Sequence, residues 1–197
     1  MTGPDVDAAL ARIVATLTER GVRHALVGGL AASIRGEVRF TRDVDLAIVA
    51  ETDAEVESLV RDLRADGYGV HALVENDATH RIALVRLRDA HGVLVDLLAQ
   101  SSGIEAEVVD RADEVGWRDV GTVRVAASEE LLALKVLAMN DRRLQDTIDA
   151  RNIVAAQPAL DVDRVRANLE LIRARSCDRG ERLLEKLDAL LEASVET

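Results

Sequence analysis

The sequence predicts an α/β (α+β) protein: a mixed sheet flanked by helices, followed by a C-terminal helical lobe that begins near residue 127. Three observations carry this. Short apolar runs alternate with amphipathic stretches through the N-terminal part of the chain, and from Ser128 onward the apolar spacing is helical only. The third is bulk: 48% hydrophobic residues in a chain of 197 can build a real core. Residues 1–126 are therefore expected to form the sheet-containing unit and residues 127–197 a lobe packed on it.

The elements follow in order. "DVDAALARIVATLTERG" spaces its apolar residues for a helix and stops at Gly21, a natural C-terminal cap. "RHALV" is a short strand ending in Gly28-Gly29, and "LAASIRG" supplies about two helical turns. "VDLAIV" is a second strand. "TDAEVESLVRDLRADG" is a helix with an acidic first turn and a terminal Gly67. "RIALVRLRDAHGVLVDLLA" reads as a hairpin turning at "DAHG", and "TVRVA" as a short strand, whereas "SSGIEAEVVDRADEVG" carries no clear period. "SEELLALKVLAMN" starts with a serine cap and an acidic turn. "DRRLQDTIDARNIVAAQ" follows, Pro158 punctuates, and two further amphipathic helices finish the chain.

Composition excludes several classes. No apolar run approaches the ~20 residues of a membrane helix, and the N-terminus lacks the basic leader and apolar stretch of a signal peptide. Cys177 is the lone cysteine, which suits a reducing compartment, so a cytoplasmic location is expected. The net charge is −11, and Phe40, Tyr68 and Trp117 are the only aromatic residues, so a broad basic face with stacking rings is missing. Charge is uneven: Arg142–Lys186 carries ten cations and eight carboxylates, which leaves the remainder at −13. A polyanion would more readily meet the C-terminal part.

Within "VRFTRDVDLAIV", Asp43 and Asp45 open an apolar strand and project to one face, because strand side chains alternate. Two such carboxylates repel and lose hydration on burial unless a cation sits between them. Mg²⁺ takes one or two protein carboxylates and completes its shell with water and substrate phosphates. A D-x-D pair alone reads better as a solvated strand end that caps a turn, but three more features shift the balance. Gly28-Gly29 lies between a strand and a helix start, where phosphates can approach backbone N–H groups. Asp96 is the one charge in the apolar run from Val93 to Gln100, expected beside Asp45 if the two strands are neighbours. Lys135, one of two lysines against 23 arginines, has Leu131, Leu132, Ala138 and Met139 as helical neighbours and needs an anionic partner or a path to water.

These residues resemble a family. "LVGGLAASIRGEVRFTRDVDLAIV", residues 26–49, is similar to the first motif of the polymerase-beta-like nucleotidyltransferase superfamily, closest to its AbiEii-type group, which includes toxins of toxin–antitoxin systems. Asp96 matches the third carboxylate of that family, and "LLALKVLAMNDRRLQDTIDARNIV", residues 131–154, resembles a later AbiEii-type motif. The resemblance implies Mg²⁺- (or Mn²⁺-) dependent transfer of a nucleoside monophosphate from an NTP to an acceptor hydroxyl, with release of pyrophosphate. It implies that Asp43, Asp45 and Asp96 hold metal, with Asp96 near the acceptor. Gly28 and Gly29 would cradle phosphate oxygens, and Lys135 would neutralise the leaving pyrophosphate. Asp146 would orient Lys135 or Arg42, or act as the base. Many superfamily members carry Gly-Ser at the Gly-Gly position, a hydroxyl that Ser33 would have to replace. Arg35, Arg39 and Arg42 form a basic cluster suited to nucleotide or acceptor, or to plain surface charge. For Asp146 and Asp149, three apart on one helix, an Arg142–Asp146 surface pair competes with a catalytic role.

Three functions follow. One is a nucleotidyltransferase, of the toxin kind, acting on tRNA or another cellular target and paired with a cognate antitoxin. The second is an antibiotic nucleotidyltransferase, whose acidic surface suits a cationic aminoglycoside. The third is a non-catalytic nucleotide- or partner-binding protein of the same fold, against which the full set of three carboxylates and Lys135 argues.

Overall fold

The structure, a computed structural model, describes residues 5–117 and 120–195. Helix α1 (Val6–Glu19) begins where the Asp5 side chain accepts the Ala8 N–H at 3.0 Å, and it ends before Gly21, whose φ of +67° is one that an L side chain resists. Leu10, Ile13 and Leu17 give α1 its fully buried stripe. Strand β1 (His24–Val27) leads directly into α2 (Gly28–Arg35), whereas β2 (Asp43–Ile48) reaches α3 (Asp53–Ala65) through residues 49–52. Thr52 caps α3 by accepting the Glu55 N–H, and Val56, Leu59 and Leu63 form its buried face.

The sequence reading missed β3 (Gly69–Glu75). This strand lies at the sheet edge with nearly every residue exposed, so it has no core-and-solvent alternation to read. The hairpin is β4 (Ile82–Arg88) and β5 (Leu94–Leu98), as expected. The unclear stretch resolves into α4 (Glu105–Asp110) and β6 (Asp113–Trp117), and β7 (Gly121–Val125) is the expected short strand. Four helices follow: α5 (Ser128–Ala138), α6 (Leu144–Ala156), α7 (Val162–Ala174) and α8 (Leu183–Val195). The expected serine cap of α5 is corrected. Ala127 holds the cap position, and buried Ser128 is the first helical residue.

The described strands form one mixed sheet in the order β3-β4-β5-β2-β1-β7-β6. Strands β1 and β2 run antiparallel, whereas β2 pairs with β5 in parallel and β1 with β7 in parallel. The register places Asp45 opposite both Asp96 on β5 and Val27 on β1. Helices α5 and α6 pack on each other and on α2, so the β1–α2 turn faces α5 and α6 across a cleft. Buried residues of the sheet, of α1 and of α5, α7 and α8 belong to one continuous apolar core. No helix among the described residues is long and apolar enough to cross a membrane.

Candidate active site

A cleft of about 500 Å³ opens between the ends of β1, β2 and β5 and helices α5 and α6. Gly28, Gly29, Asp43, Asp45, Asp96, Lys135 and Asp146 all line it. The three carboxylates reach it by two different rules. Asp43 and Asp45 share a face because they are two apart on β2. Asp96 joins them because β5 runs parallel to β2 with Asp96 in register with Asp45. Asp96 is thus on an interior strand, 3% exposed, and not on a wet edge.

Each carboxylate is held differently. The Thr41 hydroxyl donates to Asp43 Oδ1 at 2.8 Å, and the Gly29 N–H donates to Asp45 Oδ2 at 3.4 Å. Asp96 takes both oxygens to Arg86 on β4, Nε to Oδ1 at 2.8 Å and Nη2 to Oδ2 at 2.5 Å. Burial, then the charges of Asp43 and Asp96, push the Asp45 carboxyl up to about 7. A carboxylate so disfavoured is one that a divalent cation relieves, and Asp43 and Asp45 offer the hard oxygens Mg²⁺ takes. The donor set therefore fits an ion held by these two residues. Among the described residues no three His, Cys, Asp or Glu side chains converge to hold one ion by themselves, so substrate oxygens and water must complete any shell.

The pH dependence follows by linkage. A carboxyl raised in the folded state adds stability while protonated, and loses that contribution as pH rises through its folded pKa. Without divalent ions, Asp45→Asn should match the parent near pH 4. It should gain on the order of 4 kcal/mol over it by pH 8. Urea melts at several pH values measure this, and a constant difference across the range would contradict the assignment.

Gly28 has no substitute. Its φ is +64°, and a Cβ there would lie 1.9 Å from Asp45 Oδ2. A Cβ on Gly29 would meet the Arg39 guanidinium at 2.8 Å and the Thr41 hydroxyl at 2.9 Å. The bare backbone here lets the side chains of Asp45, Arg39 and Thr41 come against it. We expect Gly28→Ala to lower the melting temperature by several degrees and to weaken nucleotide binding at least about tenfold. Thermal melts and nucleotide titration check both, and unchanged nucleotide affinity would count against a phosphate at this turn.

On the opposite wall, buried Lys135 reaches Asp146 Oδ1 at 2.8 Å and Asp149 Oδ2 at 2.7 Å. Its stem does not snorkel outward. Arg143 Nε also reaches Asp146, at 2.8 Å, so the Arg142–Asp146 surface pair is replaced by a buried Asp146 between Lys135 and Arg143. Asp149, one helical turn beyond Asp146 and equally readable as a surface acid, is 2% exposed and holds the wall together. It accepts Arg39 through both oxygens, at 2.7 and 2.9 Å, and Gln145 at 2.9 Å. Burial alone would raise the Asp149 carboxyl, but the bonds from Arg39 and Lys135 outweigh it and hold the group below the usual carboxylate range.

Two expected site residues are not brought into the cleft. Ser33 is turned the other way: its hydroxyl donates to the Gly29 carbonyl at 3.1 Å and accepts the Arg39 N–H at 3.3 Å. It ties the loop to α2, and no hydroxyl replaces the serine of the Gly-Ser form. Arg42 precedes Asp43 by one residue and falls on the other side of the extended backbone, its guanidinium 5.7 Å from the centre of the exposed Phe40 ring. The basic cluster divides accordingly. Arg39 lines the cleft, whereas Arg35 braces α2 on β7 through the Ala126 and Val125 carbonyls and pairs with Asp113. Arg86 was missed, although a signal existed: in a hairpin turning at "DAHG", Arg86 falls opposite Asp96.

Residues 7–188 match the family described as "Nucleotidyl transferase of unknown function (DUF2204)". The chain belongs to this nucleotidyltransferase family. Solved nucleotidyltransferases share its fold. The solution structure of the antibiotic-resistance factor ANT(2'')-Ia is 20% identical, with a TM-score of 0.56 over 86% of this chain and 92% of that one. The crystal structure of ANT(2'')-Ia with adenylyl-2''-tobramycin gives 20% identity and a TM-score of 0.52, over 86% and 98%. The lincosamide antibiotic adenylyltransferase LnuA, lincomycin-bound, gives 15% and 0.50, over 75% and 95%. No curated protein matches the chain. The nucleotidyltransferase thus has the expected polymerase-beta-like fold, and the AbiEii-type assignment is a finer one.

Proposed function

We propose that this nucleotidyltransferase moves a nucleoside monophosphate from an NTP onto an acceptor hydroxyl, releasing pyrophosphate. The observation that carries the proposal is the register of β2 and β5, which sets Asp96 beside Asp45 while Asp43 and Gly28-Gly29 share the same cleft. Asp43 and Asp45 hold Mg²⁺ or Mn²⁺, which supplies positive charge to the triphosphate and eases departure of pyrophosphate. The Gly28–Gly29 backbone meets phosphate oxygens, and Lys135 and Arg39 offset the charge that builds on the leaving group. The acceptor oxygen bonds to the α-phosphorus and its proton passes to Asp96. The bond from the α-phosphorus to the bridging oxygen breaks, and its electron pair leaves with pyrophosphate. Residues 1–126 thereby contribute the carboxylates, and residues 127–197 contribute Lys135 with Asp146 as its positioning partner.

For the acceptor we favour a small cationic molecule bearing hydroxyls. The net charge of −11 supports this reading, because an acidic surface attracts a polyamine-like acceptor and repels RNA. The chain also runs nearly the whole length of ANT(2'')-Ia. A toxin of the AbiEii kind, acting on tRNA and restrained by an antitoxin, is the second reading, favoured by the late motif around Lys135 and by the cationic excess of Arg142–Lys186. The test is incubation with Mg²⁺ and each labelled NTP, together with aminoglycosides, tRNA or total protein. Label on the drug supports the first reading and label on tRNA or protein the second. Binding of Mg–NTP without transfer to any of them would favour a non-catalytic nucleotide-binding protein.

A further inference from the structure

Arg86, Asp96 and Asp45 stand in register across three adjacent strands, β4, β5 and β2. The guanidinium of Arg86 covers both oxygens of Asp96, and Arg86 lines the same cleft as Asp43 and Asp45. This is a fixed fork on a carboxylate that is 3% exposed, and its stem is anchored by the β4–β5 ladder. A divalent ion that chelated Asp96 would need the same two oxygens, and would meet the guanidinium's own positive charge. By contrast, among the described residues Asp43 and Asp45 have no cationic hydrogen-bond partner; their bonds come from the Thr41 hydroxyl and the Gly29 N–H. The three carboxylates are therefore not equivalent: two are open to an ion and one is already paired with a guanidinium. That Asp43, Asp45 and Asp96 do not converge as a three-carboxylate ion site agrees with this division.

We propose that Arg86 takes the place of a second divalent cation. The enzyme then holds one ion, on Asp43, Asp45 and the triphosphate, and the side of the cleft that receives the acceptor carries a permanent guanidinium in place of an exchangeable ion. Arg86 is a positioning residue: it holds Asp96 toward the acceptor hydroxyl and keeps its charge balanced. The proposal rests on the nucleotidyltransferase reading above.

The experiment counts Mn²⁺ bound per nucleotide by the electron paramagnetic resonance signal of free Mn²⁺, with saturating α,β-methylene analogues of the four NTPs. The parent protein should bind one Mn²⁺ per bound analogue, and Arg86→Met should bind two. Asp96→Asn should leave Mn²⁺ affinity within about threefold, whereas loss of a ligating carboxylate should cost more than the roughly 10–100-fold that loss of an outer-shell partner of a ligand costs. Two ions on the parent protein, or a tenfold loss of Mn²⁺ affinity in Asp96→Asn, would overturn the proposal and leave the transferase reading standing. So would Arg86→Met that folds, by circular dichroism, and still binds one. Absence of any Mn²⁺–nucleotide binding to the parent would overturn both.

Discussion

Asp45→Ala should lower nucleotide transfer by at least about 10³-fold, equivalent to about 4 kcal/mol of transition-state stabilisation, while the protein stays folded. Asp45 has carboxylates on two sides, and burial together with these charges holds its proton until pH reaches about 7. Such a group costs the fold stability whenever it is ionised without a cation, and truncating it relieves that cost. Activity and cation-free stability should therefore move in opposite directions, a pattern that loss of packing does not give. Asp43→Ala should show the same loss of transfer with a smaller gain in stability. Labelled-NTP transfer and urea melts on the same preparations decide the matter. A turnover within a few-fold of the parent would remove the metal-gripping role from these residues.

Lys135→Met should be the most damaging change on the opposite wall. The ammonium is buried and satisfies Asp146 and Asp149 together. Its removal leaves two buried carboxylates with one cation fewer, a defect of about 3 kcal/mol, or about 10 °C in melting temperature for a chain of this size. Part of the charge remains covered, because Arg143 still reaches Asp146 and Arg39 still holds Asp149. Transfer should fall at least about 10²-fold. The double change Lys135→Met with Asp149→Asn separates the two effects: it should recover a good part of the stability and none of the activity. Recovery of both would make Lys135 a structural counter-ion and nothing more.

The carboxylates were legible because strand alternation is a local rule. Two aspartates two apart share a face whatever the rest of the chain does. Asp96 was legible for a second local reason, the cost of one charge in an apolar run, but its meeting with Asp45 required the two strands to be neighbours in this one register. Asp149 and Arg86 were not legible in that way. Asp149 looked like one of two helical surface acids, and only the docking of α6 against α2 and α5 buries it between Arg39 and Lys135. Ser33 and Arg42 failed for the reverse reason: each had the right chemistry within a few residues of the site, and the backbone turns both away from it.

The chain by itself determined the apolar runs, the helix caps at Asp5 and Thr52, the bare Gly28-Gly29 turn and the face shared by Asp43 and Asp45, because each depends on neighbours within a few residues. The tertiary structure alone decided which charges are paired. Whether a buried carboxylate meets a guanidinium, as Asp96 meets Arg86, or only a backbone N–H, as Asp45 meets Gly29, depends on which strands lie side by side and in what register. Electrostatic energy depends on distances through space, and residues ten or a hundred apart in sequence come to hydrogen-bonding distance only once the sheet and the α5–α6 pair are assembled.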